Sequence, residues 1–93
     1  LYAIRDFITT NYADNISLEF LCKNFGINEY KLKRGFKELF NTSVIEFLIN
    51  QRLDQAQLML LEKDKSIGEI AYLIGYSSPQ YFSKAFKKKY GIS

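Results

Sequence analysis

Apolar positions recur along the chain at three- and four-residue steps, and polar or turn-forming residues break them at regular places. Ile4, Phe7 and Ile8 predict a first helix from Tyr2 to about Tyr12, which the polar run Asn11 to Asn15 ends. Ser17 has the chemistry of an N-cap, and Leu18, Leu21, Cys22 and Phe25 form the inner face of a short helix behind it. Gly26 stops that helix, because glycine enters the left-handed conformation of a sharp turn without penalty. Asn28 caps the next helix, whose inward side is Leu32, Phe36, Leu39 and Phe40, and Asn41 suits a left-handed C-cap. Ser43-Val44-Ile45-Glu46 reads as a capping box that opens the longest helix, reaching about Leu61. Its stripe is Ile45, Ile49, Leu53, Ala56 and Leu60, broadened by Phe47, Leu48, Leu58, Met59 and Leu61. A helix apolar on more than one side has two bodies to pack against, so this one predicts a strut of roughly 18 residues, about 27 Å.

The pattern then starts again. Ser66-Ile67-Gly68-Glu69 is a second capping box, and Ile67, Ile70, Ala71 and Ile74 are its inner face. Gly68 weakens this helix by at most about 1 kcal/mol. Gly75 makes the turn, Ser78 caps the last helix and Pro79 takes its first position, where proline is tolerated. Phe82, Phe86 and Tyr90 point inward, and Gly91 is the C-cap. The halves align as Leu21-Cys22 with Ile70-Ala71, Gly26 with Gly75, Leu32 with Phe82, Phe36-Lys37 with Phe86-Lys87, and Phe40 with Tyr90. The offset is 49 residues before the turn and 50 after it, so the second turn carries one extra residue. The prediction is an all-α, homeodomain-like fold: a first helix-turn-helix subdomain over 1–41, a linker helix over 42–62 and a second subdomain over 63–93.

In such a unit a short helix buttresses a second one, a small residue (Cys22 or Ala71) lets them approach, and the second helix can enter a major groove. Its exposed residues should then be polar and include donors, as Lys33 and Arg34 are in the first copy and Gln80, Ser83 and Lys84 in the second. The net charge of the 93 residues is only +3, but its placement says more. Lys23, Lys31, Lys33, Arg34 and Lys37 fall in the first copy and Lys84, Lys87, Lys88 and Lys89 in the second, a footprint suited to a polyanion or, more blandly, to solvent. There is no histidine and one cysteine, so no Cys–His or Ser–His pair exists and no histidine metal site; the expectation is a non-enzyme without cofactors. A single cysteine also excludes an intramolecular disulfide. No apolar run reaches a membrane span, so membrane contact is not expected from this segment. The first residue is Leu1, which reads as a fragment of a longer protein.

The second half, Ile67-x-x-Ile70-Ala71-x-x-x-Gly75-Tyr76-x-Ser78-x-x-Tyr81-Phe82-Ser83-Lys84-x-Phe86-Lys87-Lys88-x-x-Gly91-Ile92-Ser93, resembles the DNA-binding domain of the AraC/XylS family of bacterial transcription regulators. Arg52-Leu53-x-x-Ala56 resembles that family's linker-helix signature, and Leu32-x-Arg34-x-Phe36-Lys37 its first recognition helix, so the likeness covers almost the whole chain. Asn41 departs from a usual glycine, Val44 from a frequent proline and Cys22 from a common alanine. The resemblance implies seven helices, the short last one following a proline past Ser93, so the second subdomain is expected to lack part of its packing. It implies two recognition helices in successive major grooves of double-stranded DNA, contact with RNA polymerase as a further partner, and a place in the cytoplasm at the nucleoid. Sensing and dimerisation would belong to a preceding region, leaving this segment monomeric.

On these grounds Tyr30, Lys33, Arg34, Gln80, Ser83 and Lys84 are the candidate base readers. Arginine pairs bidentately with guanine and glutamine with adenine. The bland alternative for Arg34 is an ion pair with Glu38 four residues on. Lys31, Lys37, Lys87 and Lys88 are candidates for phosphate contact, or for plain solvent exposure. Ser17, Ser43 and Ser78 open helices whose amides can hold phosphate, although capping alone explains them. Arg52 is expected to organise the linker helix, and Cys22 to be a small core residue. Of the aromatic residues only Tyr30, Tyr76 and Tyr81 stay open for stacking on bases. The competing class is a helical protein–protein docking module, which weak salt dependence would distinguish from a DNA binder.

Overall fold

The computed structural model describes residues 1–91; Ile92 and Ser93, the end of the second-half motif, lie outside the described residues. Among these, six helices and no strand are found: α1 (Tyr2–Asn11), α2 (Leu18–Phe25), α3 (Glu29–Phe40), α4 (Val44–Glu62), α5 (Ile67–Leu73) and α6 (Pro79–Tyr90). The chain divides into two compact units, one over Leu1–Gln51 and one from Arg52 onward, so the division falls inside α4.

In the first unit Ile4, Ile8, Ile16, Leu21, Leu32, Phe36, Val44 and Leu48 form one buried cluster. Phe36 centres it, with Phe40 and Phe47 rings at 4.6 and 5.6 Å. Ile16 was not anticipated. It stands just before the Ser17 cap and shares the cluster with Leu21, four residues into α2, as in a hydrophobic staple. Gly35 is a second feature without a sequence signal. A Cβ there would lie 2.5 Å from Leu1 Cδ1, so the glycine makes room for the residue that opens α1.

In the second unit the buried residues are Leu53, Ala56, Ile70, Ala71, Ile74, Phe82 and Phe86. Phe86 packs between Phe82 and Tyr90, with ring centroids at 5.7 and 4.5 Å. Arg52 is half-buried with its guanidinium 5.9 Å from the Tyr76 ring. Burial lowers the Arg52 pKa; burial also raises that of Tyr76, partly offset by the Arg52 charge. Asp54 of α4 accepts bonds from Lys89 Nζ at 2.6 Å and from the Tyr90 hydroxyl at 2.7 Å, tying α6 to α4.

The two turns share one chemistry. Gly26 (φ 64°) and Gly75 (φ 97°) are left-handed. The next amide reaches back in each case, Ile27 to the Cys22 carbonyl at 3.2 Å and Tyr76 to the Ala71 carbonyl at 2.9 Å, which is the bond of a Schellman turn. Asn41 (φ 58°) and Gly91 (φ 69°) close α3 and α6 in the same left-handed conformation.

Three readings of the hydrophobic pattern are corrected. Along the first part of α4 the buried positions are Val44 and Leu48, while Ile45 and Ile49 are exposed, so the inward stripe is turned by one residue. Leu39 is 48% exposed, because the inward line of α3 runs through Leu32 and Phe36 and leaves Leu39 on its flank. Ile67 is 44% exposed, since the first turn of α5 precedes the packed face formed by Ile70, Ala71 and Ile74. The Ser66–Glu69 capping box is complete. At Ser43 only half forms: its Oγ accepts the Glu46 amide at 3.1 Å, but the Glu46 carboxylate takes its bond from the Thr42 hydroxyl at 3.2 Å.

Candidate nucleic-acid interface

Helix α3 buries Leu32 and Phe36 and turns Tyr30, Lys31, Lys33, Arg34 and Lys37 outward, all exposed. Asn28 fixes its start, with Oδ1 accepting the Lys31 amide at 2.8 Å. The first-copy candidates lie together on this helix. Arg34 Nη1 donates to the Tyr30 hydroxyl at 2.9 Å, and Arg34 Nε donates to Glu38 Oε1 at 2.9 Å. The bond to Glu38 first, and that to Tyr30 second, raise the arginine further above its ordinary pKa. Lys33 stands 4.0 Å from Glu29. The ion pair weighed for Arg34 is therefore present; a bond between Tyr30 and Arg34 follows the same four-residue spacing and was legible in principle.

Helix α6 repeats the arrangement. Ser78 Oγ accepts the Tyr81 amide at 3.3 Å, Pro79 opens the helix, and Gln80, Tyr81, Ser83, Lys84, Lys87 and Lys88 are exposed around a buried Phe82–Phe86 face. Lys89 differs from its neighbours in being held by Asp54. No acid lies within α6, whereas α3 carries Glu29 and Glu38.

Each capping serine is engaged: Ser17 Oγ accepts the Phe20 amide at 3.0 Å, and Ser43 and Ser78 do the same for Glu46 and Tyr81. Their hydroxyl protons are still donors. Lys33, Lys37 and Ser43 come together around a hollow of about 260 Å³ that Leu18, Val44 and Ile45 complete. Ser83 instead borders a second hollow, of about 330 Å³, lined by Gln57, Leu60, Leu61, Ile67, Phe82 and Phe86. Of the tyrosines kept open for stacking, Tyr30 and Tyr81 are about two-thirds exposed, while Tyr76 is half-buried against Phe82 at 5.9 Å. Cys22 is a free, half-buried thiol packed against the first core. No helix among the described residues is long and apolar enough to cross a membrane, and none of their His, Cys, Asp and Glu side chains cluster as a metal site would require.

A buttressing helix, a Schellman turn and a second helix with an uncovered polar face, built twice, define a double helix-turn-helix protein. A family model described as "Helix-turn-helix domain" matches residues 21–93, and the chain belongs to the AraC/XylS family of DNA-binding domains. It is 35% identical over 88 residues to the lactose operon transcription activator of Staphylococcus xylosus, covering 95% of this chain and 32% of that protein. It is 31% identical to the bifunctional transcriptional activator/DNA repair enzyme AdaA of Bacillus subtilis, over 95% of this chain and 42% of that one. The chain thus spans less than half the length of these relatives. Among solved structures, the C-terminal domain of AraT, a response regulator from Geobacillus stearothermophilus, superimposes with a TM-score of 0.94 at 31% identity, over 99% of this chain and 77% of that one. The DNA-binding domain of AdpA in complex with a target DNA gives 0.92 at 25% identity, over 99% and 83%.

Proposed function

We propose that the chain binds double-stranded DNA in a sequence-specific, bipartite manner, with α3 and α6 in successive major grooves, and so regulates transcription as part of a larger regulator. The observation that carries this reading is the repeated unit whose second helix leaves a donor-rich face uncovered: Tyr30, Lys33 and Arg34 on α3, and Gln80, Ser83 and Lys84 on α6. Its likeness to a domain solved with a target DNA supports the same reading. Arg34 would read guanine through a two-pronged bond and Gln80 adenine, while Lys31, Lys37, Lys87 and Lys88 would neutralise phosphates.

Selection of duplexes from a random pool by the 93-residue chain, followed by footprinting, tests this proposal. Two protected segments about one helical turn, roughly 34 Å, apart are expected. Arg34→Ala should weaken the selected site about ten- to hundredfold and relax preference at one guanine. Equal losses on every duplex would remove Arg34 from the base readers, and a single protected segment would leave one copy without a reading role.

A further inference from the structure

Glu38 is poorly placed to stabilise its own helix. It lies near the end of α3, where the helix macrodipole disfavours an anion, and it follows its partner Arg34 in sequence, the weaker order for an ion pair four residues apart. Glu29 and Lys33 show the opposite case: the acid is in the first turn and precedes the cation. Helix stability accounts well for Glu29 and only weakly for Glu38. A carboxylate is also an unfavourable neighbour for a polyanion, and this one shares a helix with four exposed cations, Lys31, Lys33, Arg34 and Lys37. What Glu38 does is hold Arg34 Nε at 2.9 Å while the Tyr30 hydroxyl holds Nη1 at 2.9 Å from one turn earlier. Two donors of the guanidinium are engaged and the others are available.

We propose that Glu38, acting with Tyr30, is a specificity-setting positioning residue that fixes the Arg34 guanidinium along the surface of α3 for a base edge and away from phosphate. The inference rests on the reading of α3 as a base-reading helix. It works on both sides of the discrimination. A held guanidinium loses less freedom when it forms a two-pronged bond with guanine. An arginine already paired, beside a carboxylate that repels the backbone, gains less from DNA of any other sequence. The second copy is an internal control: fifty residues on, Tyr30, Arg34 and Glu38 become Gln80, Lys84 and Lys88, so Lys84 has no carboxylate one turn ahead of it.

The test measures affinity of the 93-residue chain for a duplex selected from a random pool and for a scrambled duplex of the same composition, at one salt concentration. Glu38→Gln should tighten binding to the scrambled duplex and lower the ratio of the two affinities about tenfold. Glu38→Lys, which installs the pattern of α6, should lower it further. In an Arg34→Ala background, Glu38→Gln should move both duplexes by the same factor. Helix content by circular dichroism confirms that each variant is folded. A ratio unchanged by Glu38→Gln, or a change that persists without Arg34, would overturn the inference and leave Glu38 a plain surface charge. If the parent chain selects a guanine that Arg34→Ala releases while Glu38→Gln leaves the ratio alone, this inference fails and the base-reading proposal stands. If the parent chain selects no sequence, both fall.

Discussion

Lys87, Lys88 and Lys89 are three identical residues in a row, and the fold gives the last a different task. Lys89 and Tyr90 both donate to Asp54, thirty-five and thirty-six positions earlier. No local pattern links residues so far apart, so the sequence groups Lys89 with the other cations of α6, and only the packing of α6 on α4 separates it. The cluster has a pH signature. Burial first, then the bond to Asp54, pushes the Tyr90 phenol up to about 12. The unfolded value is about 10. The folded state therefore favours the neutral phenol; the stability this contributes is fully present below about pH 10 and is lost as pH rises through the folded value. Asp54 behaves in the opposite sense. Burial pulls its carboxyl upward, but the bonds from Lys89 and Tyr90 and the Lys89 charge leave it net below its ordinary value, so its contribution is lost in acid. Tyr90→Phe is expected to cost about 1 kcal/mol near pH 8. The gap between parent and variant should close as pH approaches 12, measured by urea denaturation at each pH. The difference is the useful quantity, because Tyr76 is also raised and adds its own slope to both proteins. A gap that stays constant with pH would mean the phenol proton is not the stabilising group.

At the scale of the elements, caps and turns were legible because each needs particular residue types. Ser17, Asn28, Ser66 and Ser78 cap as their chemistry predicts, and Gly26, Gly75 and Asn41 take the left-handed conformation. The extra residue of the second turn is Ser77, lying between Gly75-Tyr76 and the Ser78 cap. The rotation of α4 was not legible. Val44 and Leu48 lie on one line, Ile45 and Ile49 on the next, and both lines are apolar at helical spacing. Periodicity finds such a helix but cannot choose between adjacent stripes; the choice is made by where α1, α2 and α3 present their own apolar faces. Leu48 is 5% exposed and Ile49 36%. Leu48→Ala should therefore cost about 2–5 kcal/mol of stability. Ile49→Ala should cost about 1 kcal/mol or less. Thermal or urea melts of the two variants decide the register: a larger cost at Ile49 than at Leu48 would return the stripe to the line through Ile45 and Ile49, and equal costs would mean that α4 uses both lines.

For the whole molecule, the decisive property is how exposed positive charge is distributed over two copies of one unit. The net charge of +3 is too small to mark a nucleic-acid binder by itself. The candidate residues were legible because they sit on two helices whose opposite faces pack inward, and the Arg34–Glu38 pair because its four-residue spacing is a helical one; the capture of Lys89 by Asp54 appears only with side chains in place. A salt series on a selected and a scrambled duplex tests DNA binding against protein docking. If Lys87 meets a phosphate, Lys87→Ala removes about one released counterion, so the slope of log affinity against log salt should become shallower by about 1. The loss should be the same on selected and scrambled duplexes, unlike that of Arg34→Ala, which falls mainly on the selected one. A docking module for a protein partner would show only weak, salt-sensitive binding, equal on selected and scrambled duplexes, and Arg34→Ala would not change their ratio. Measuring both variants on both duplexes across a salt series thus assigns each helix its role: a change of slope marks contact with the backbone, and a change of ratio marks contact with bases.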